Sequence, residues 1–181
     1  MRFYNEYRIF SRLIAFPNYR SKLLQNIKQI LIADDDRNDI LIFERSLKAA
    51  GVLNPLNVVR DGAEAVDYLA GEGVYADRAQ YPLPDLMLLD LKMPKLDGFD
   101  VLTWWRENGQ GGRFPIIVLS GSALPQDIEM SRMLGAFAYR VKPGDAEGLS
   151  KLAEEVRDRW LALEPNTPRD KAQDTKFFYP A

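Results

Sequence analysis

The segment from Asp85 to Pro94 constrains the fold of this chain most strongly. Its apolar run, Leu86 to Leu89, is unbroken and ends at the carboxylate of Asp90. An apolar run of this length between polar and turn residues is typical of a strand buried on both faces of a parallel sheet. Asp90 would then leave that strand at its carboxyl end, where the loops of an open α/β sheet bring functional groups together.

Three other short apolar runs also stop at polar residues. These residues are three aspartates after the first run, two serines around a glycine after the second, and a lysine–proline pair after the third: Asp34, Asp35 and Asp36; Ser120, Gly121 and Ser122; Lys142 and Pro143. If the four strands are parallel and adjacent, their carboxyl ends share one edge of the sheet. The carboxylates, a hydroxyl and an ammonium group would then meet in one pocket.

Strand and helix patterns alternate five times along the chain. The apolar spacing predicts strands over 29–34, 56–60, 86–89, 116–119 and 136–141. Helices are predicted over 38–50, 63–70, 125–134 and 145–163, with one more after residue 98. This alternation predicts an α/β fold, a doubly wound five-stranded parallel sheet with helices on both faces. Residues 71–84 have no clear periodicity and are predicted to form a long surface loop, a candidate for partner contact.

Composition excludes several kinds of chemistry. The 181-residue chain is 46% apolar, which is enough to build a core. It contains no cysteine and no histidine. Disulfides, thiolate metal sites, imidazole bases and phosphohistidine are therefore excluded within the sequence. The lack of cysteine fits a reducing cytoplasm, and we expect a cytoplasmic location.

Charge is distributed unevenly along the chain. The formal net charge is −2, yet residues 1–28 carry six basic side chains and one acidic one, so the remainder is clearly acidic. An acidic body argues against nonspecific nucleic-acid binding, which needs clustered Lys and Arg. The sequence also shows no apolar stretch near the ~20 residues that span a bilayer.

Three regions are predicted: a basic extension over 1–28, a folded domain over 29–164 and a tail over 165–181. Helical spacing of apolar residues in the extension allows two interpretations. It is either a basic amphipathic helix that lies on a membrane surface or a partner, or a frayed segment before the true start of the fold. The short tail leaves no room for a DNA-binding output domain, so direct DNA binding is not expected.

Taken together, five markers resemble the receiver domain of two-component response regulators. They are the acidic pair, the lone aspartate, the hydroxyl followed by a small residue, the aromatic residue and the Lys-Pro pair: Asp34 and Asp35; Asp90; Ser120 and Gly121; Tyr139; Lys142 and Pro143. The resemblance covers roughly 29–163. The long segment before Asp90 and the pair Trp160–Leu161 are most similar to the small single-domain regulators that serve cyanobacterial and bacterial phytochromes. The resemblance implies a flavodoxin-like sheet of strand order 2-1-3-4-5.

An aspartate can accept a phosphoryl group as an acyl phosphate. Two carboxylates about 4 Å apart repel by about 4 kcal/mol at an effective dielectric near 20, so a hard divalent cation such as Mg²⁺ is needed. The resemblance implies that Asp90 is the phosphoacceptor and that Asp35, Asp90 and the backbone carbonyl of Lys92 bind Mg²⁺, with Asp34 acting through water. Lys142 and Ser120 would contact the phosphoryl oxygens.

The resemblance also implies a switch and partners. Ser120 would approach the phosphoryl group and leave space for Tyr139 to turn inward, and Pro143 would follow a cis peptide bond that aims Lys142 into the pocket. The phosphoryl donor would be a separate histidine kinase, with a phytochrome as one candidate. An unidentified downstream protein would read the surface of the fourth helix, fifth strand and fifth helix, through which a homodimer could also form.

Two other functions stay open at this point. A hydrolase of the haloacid-dehalogenase kind also uses an aspartyl nucleophile, but it needs a second aspartate two residues later as general acid. Here that position is Lys92, which argues against the hydrolase. A receiver-like module that interacts without phosphorylation is the second alternative, and the complete set of site residues argues against it. The sequence predicts a signalling protein rather than an enzyme.

Overall fold

The computed structural model describes residues 28–108 and 114–161. Within them, five parallel strands form one sheet in the order β2-β1-β3-β4-β5, which confirms the predicted fold class. The strands are β1 (Ile30–Ala33), β2 (Leu56–Val59), β3 (Leu86–Leu89), β4 (Ile116–Ser120) and β5 (Ala138–Val141). The helices are α1 (Arg37–Ala49), α2 (Gly62–Ala70), α3 (Gly98–Glu107), α4 (Pro125–Leu134) and α5 (Ala146–Glu155).

The central strands are buried on both faces, as continuous apolar runs in a parallel sheet require. In β1 and β3 alternate side chains enter two separate cores. Leu31 and Met87 face the core under α2, α3 and α4, whereas Ile30 and Leu86 face the core under α1 and α5. Helices therefore cover both faces, and the carboxyl ends of β1, β3 and β4 are left open at one edge.

Side-chain caps determine where several helices begin. Asp36 accepts hydrogen bonds from the backbone amides of Asn38 and Asp39 at the start of α1. Asp97, which the sequence marks only as a turn residue, forms a reciprocal capping box with Asp100 at the start of α3. α4 follows the predicted range of 125–134 with proline in its first turn.

The structure corrects two local predictions. β5 begins at Ala138 rather than at 136, because the backbone amide of Ala136 is used to close the end of α4 by donating to the Ser131 carbonyl. The last helix changes to a π-helical turn over Val156–Trp160. Residues 71–84 are irregular, as predicted, apart from a 3₁₀ turn over Gly73–Tyr75, and Arg78 in this loop donates hydrogen bonds to the Tyr68 and Leu69 carbonyls at the end of α2.

Residues 1–27 of the predicted basic extension over 1–28, the glycines predicted to end α3, and the predicted tail over 165–181 lie outside the described residues. Among the described helices, none combines the length and the apolar character needed to cross a membrane.

Candidate functional site

Three aspartates meet at the carboxyl edge of the sheet. Asp34 follows β1, Asp35 follows it directly, and Asp90 follows β3, which pairs with β1 in register. One carboxylate oxygen from each of the three lies within 4.8 Å of the others. Asp34 and Asp90 are buried and Asp35 is exposed. Carboxylate oxygens are the ligands that Mg²⁺ and other hard cations prefer, so this cluster could bind a divalent metal ion.

Lys142 brings positive charge to the same place. It follows β5, and its backbone amide donates to the Ser120 carbonyl of β4 at 2.8 Å. Its Nζ lies 2.8 Å from Asp34 Oδ2 and 3.6 Å from Asp90 Oδ1. The ammonium group is also 3.0 Å from Asp39 Oδ2 in the first turn of α1. The predicted meeting of the early aspartates, Asp90 and Lys142 is what the structure shows.

Asp39 was not predicted as a member of this group. An aspartate in the first turn of a helix is explained by the helix dipole alone, so its sequence position gave no reason to place it beside Lys142. The ion pair joins the first turn of α1 to the residue after β5, 103 positions along the chain, so it is a long-range feature. All three carboxylates that contact Lys142 open onto a cavity of about 240 Å³ between α1, the sheet and the start of α5.

Burial and charge change the proton affinities of the site. Burial raises the pKa of Asp90, and the nearby Asp34 charge raises it further, although Lys142 opposes both effects. Burial likewise raises the pKa of Asp34, against the hydrogen bond from Lys142. Burial alone would lower the pKa of Lys142, but its hydrogen bond to Asp34 and the charge of Asp90 outweigh burial and raise it. Lys142 therefore stays protonated.

Ser120 and Tyr139 belong to a buried network beside the carboxylates. The fully buried Ser120 hydroxyl oxygen accepts a hydrogen bond from the backbone amide of Ser122 at 3.3 Å. Tyr139 donates its hydroxyl to the Ser122 carbonyl at 2.9 Å and is 1% exposed. Ser122 also donates its own hydroxyl to Asp127 in α4. The Tyr139 side chain is thus buried in this structure, whereas the resemblance implied that it turns inward on phosphorylation.

Lys92 lies in the loop that follows Asp90. Its side chain is exposed, and its backbone amide donates to Asp90 Oδ2 at 3.1 Å. That hydrogen bond orients the Asp90 carboxylate. The metal-binding role of the Lys92 carbonyl stays a prediction.

The peptide bond before Pro143 is trans, so the predicted cis bond is wrong. The trans form is the more stable isomer of X-Pro by about 0.5–1 kcal/mol. Lys142 reaches Asp34 and Asp90 with this trans bond in place, so its position needs no cis isomer.

Comparison with known proteins identifies the family. The profile of the response regulator receiver domain matches residues 30–154, more than half of the chain. This chain belongs to the response regulator receiver family.

Several relatives of this receiver domain are known. Response regulator Rcp1 of Synechocystis is 32% identical over 134 residues, which cover 74% of this chain and 89% of Rcp1. Its Mn²⁺-bound crystal structure matches 78% of this chain and 99% of that chain, with a TM-score of 0.68 and 30% identity. The phosphorylated cyanobacterial phytochrome response regulator RcpA matches at 33% identity and a TM-score of 0.70, covering 78% and 99% of the two chains.

A third solved structure is RPA3017, a response regulator in red light signalling of R. palustris. It is 30% identical, has a TM-score of 0.72 and covers 78% of this chain and 99% of that chain. The family match and these similar relatives confirm the predicted resemblance to phytochrome-associated response regulators. The receiver domain therefore belongs to a signalling family.

Proposed function

We propose that this receiver domain accepts a phosphoryl group on Asp90 from a separate histidine kinase and signals by a change of surface. The main support for this proposal is the cluster of three carboxylates beside Lys142. A carboxylate oxygen of Asp90 attacks phosphorus, the phosphorus–nitrogen bond of a phosphohistidine breaks, and the departing imidazole takes up a proton. The 181 residues contain no histidine, so the phosphohistidine donor lies outside this sequence.

The carboxylates fit a divalent cation, and we assign Mg²⁺ to them. Asp35 and Asp90 would bind it directly with the Lys92 carbonyl, and Asp34 would act through water. The bound cation would neutralise the carboxylate cluster and the incoming phosphoryl group. Support comes from the all-oxygen donor set and from the Mn²⁺-bound form of the relative Rcp1.

Lys142 and Ser120 are assigned to the phosphoryl oxygens. Lys142 is a fixed positive charge within 3.6 Å of Asp90, so it can stabilise negative charge that arrives on that side chain. Ser120 ends the strand next to β3 and can donate its hydroxyl while it accepts from Ser122. The hydrogen bond that aligns Asp90 with the Lys92 amide leaves the other carboxylate oxygen for attack.

We further propose that Ser120 and Tyr139 form the switch. Movement of Ser120 toward a phosphoryl group changes its contact with Ser122, which also holds Tyr139 and Asp127. The loop between β4 and α4 would therefore change conformation on phosphorylation, and the surface formed by α4, β5 and α5 would change with it. A downstream protein, or a second copy in a homodimer, would bind this surface.

A phytochrome-type histidine kinase is the proposed partner. RcpA is described as a cyanobacterial phytochrome response regulator and RPA3017 acts in red light signalling, and both are similar to this chain over almost their whole length. We place the receiver unit at 29–164, with 1–28 and 165–181 as extensions, and the protein in the cytoplasm. We assign no independent enzymatic role beyond phosphorylation and dephosphorylation of Asp90.

Phosphorylation by a small donor tests the proposal. Wild-type protein is incubated with acetyl phosphate and Mg²⁺, and its intact mass is measured. We expect one added phosphoryl group that is lost in Asp90→Asn but retained in Asp97→Asn. Asp97 is a matched control because it lies in the same loop and asparagine is an equally good helix cap.

Phosphorylation that persists in Asp90→Asn would refute the assignment. Complete absence of phosphorylation in the wild type would favour the alternative, a receiver that interacts without phosphate.

A further inference from the structure

The loop between β3 and α3, residues 91–97, is closed at its base. The backbone amide of Gly98 donates to the Leu91 carbonyl at 3.0 Å, which joins the two ends of the loop. Leu91 and Met93 are buried. A Cβ at Gly98 would collide with the Asp90 carbonyl oxygen and come within 2.8 Å of Leu91 Cα, so the two ends pack in direct contact. The conformation of this loop therefore decides how the backbone of Lys92 is presented.

The outer part of the loop is fastened to the turn between β2 and α2. Lys95 Nζ lies 2.7 Å from Asp61 Oδ2. The other oxygen of Asp61 caps α2 by accepting from the backbone amide of Glu64 at 2.7 Å, so the carboxylate is held by the helix. Beside the ion pair, a Cβ at Gly62 would come within 2.6 Å of the Leu96 carbonyl carbon. The two turns are thus in backbone contact.

Lys95 also has an unusual backbone. Its φ is +66°, in the left-handed region, and among the described residues it is the non-glycine residue with a positive φ. Any residue with a Cβ atom is strained in this region, and such a conformation persists only where surrounding contacts hold it. The ion pair with Asp61 is one such contact at Lys95.

We propose that Lys95 is a positioning residue for the metal site: its ion pair with Asp61 holds the β3–α3 loop in the conformation that presents the Lys92 carbonyl to the cation. The inference rests on the proposed function, because it needs a metal ion at Asp35 and Asp90. It assigns a role to two side chains that do not themselves touch the cation.

Two substitutions with opposite charge effects test the proposal. Lys95→Ala removes a positive charge near the site, so a direct electrostatic effect would make cation binding tighter. Asp61→Asn removes a negative charge, keeps the cap of α2, and would directly make cation binding weaker. If the pair positions the loop, both variants bind Mn²⁺ more weakly, by about tenfold, as for groups that orient metal ligands.

Binding is measured by the electron paramagnetic resonance signal of free Mn²⁺ during titration of the full chain. Lys95→Arg keeps the ion pair and should bind Mn²⁺ like wild type. The double variant with Lys95→Ala and Asp61→Asn should bind Mn²⁺ no more weakly than either single variant, because both substitutions remove the same contact. Lys151→Ala is the matched control, since Lys151 forms an exposed 2.7 Å pair with Glu147 far from the loop.

The proposal is wrong if both Lys95→Ala and Asp61→Asn bind Mn²⁺ with an affinity within about twofold of wild type, a difference of ~0.4 kcal/mol. This holds even if the melting temperatures of the variants fall. Tighter binding in Lys95→Ala would overturn it as well. If Lys95→Ala does not fold, Asp61→Asn and Lys95→Arg decide the question. Wild-type protein that binds no Mn²⁺ would instead refute the metal site of the proposed function.

Discussion

Asp90 should reduce the stability of the metal-free protein, so Asp90→Asn should increase it. Asp90 lies 3.6 Å from the Lys142 ammonium, which attracts it by about 5 kcal/mol at an effective dielectric near 20. Its oxygen is within 4.8 Å of Asp34 and of Asp35, and each pair repels by at least about 3 kcal/mol on the same basis. Solvent weakens the effect of the exposed Asp35. A net gain of about 1–2 kcal/mol is therefore expected for Asp90→Asn at neutral pH.

The gain should depend on pH in a defined direction. Burial and Asp34 raise the pKa of Asp90 in the folded protein above its ordinary 3.8. The folded state then binds the proton more tightly than the unfolded state, so wild-type stability is lost as pH rises from 3.8 through the folded pKa. Well below pH 3.8, Asp90 is largely protonated in both states. The advantage of Asp90→Asn should therefore disappear there.

Urea unfolding with a metal chelator, followed by circular dichroism at several pH values, measures this difference. Adding Mg²⁺ should stabilise the wild type and remove the advantage of the variant. Excess ligand at about 100 times its dissociation constant contributes about 2.7 kcal/mol. Asp97→Asn is the control, because it changes an aspartate that caps α3 outside the cluster. A variant Asp90→Asn that is less stable than wild type in chelator at pH 7 would contradict a net repulsion between Asp90 and the neighbouring carboxylates.

Three further substitutions test other contacts. Tyr139→Phe leaves the buried Ser122 carbonyl without its donor, so the free energy of unfolding in urea should fall by about 1–2 kcal/mol. An unchanged unfolding midpoint would contradict that contact. Arg78→Met removes hydrogen bonds to the last carbonyls of α2, so amide hydrogen exchange should accelerate over residues 71–84. Unchanged protection of these amides would show that Arg78 does not order the loop. Gly62→Ala should cost about 1–3 kcal/mol in the same unfolding assay because its methyl group would press on Leu96, whereas the usual helix preference for alanine predicts a gain.

The sequence predicted the parts of this molecule that depend on local pattern. Continuous apolar runs marked β1, β3 and β4, and the polar residues that follow them marked the functional edge. The meeting of Asp34, Asp90 and Lys142 followed because parallel strands place their carboxyl ends together. Lys142 and Asp34 are 108 positions apart, yet the pairing needed only strand order, and the family resemblance supplied that order.

Other features could not be read from the sequence because they depend on packing between distant segments. Asp39 contacts Lys142 across 103 positions of sequence because Asp39 lies in the first turn of α1, at the same edge of the sheet that the Lys142 side chain reaches. Arg78 folds back onto the end of α2, and a lone arginine in an irregular stretch gives no sign of that contact. Asp61 looks like an ordinary turn residue before a glycine, and its pair with Lys95 depends on two turns meeting. The inward position of Tyr139 depends on the Ser122 carbonyl of the neighbouring loop.

A crystal structure with Mn²⁺ and beryllofluoride would show whether Asp90 accepts a phosphoryl group beside a bound cation, since beryllofluoride mimics a phosphoryl group on a carboxylate and Mn²⁺ is located by its anomalous scattering. We predict a Mn²⁺ peak between Asp35 and Asp90, beryllium bound to an Asp90 oxygen, and Lys142 Nζ within hydrogen-bond distance of a fluorine. Mn²⁺ located away from this cluster, or beryllofluoride bound to another side chain, would contradict this prediction.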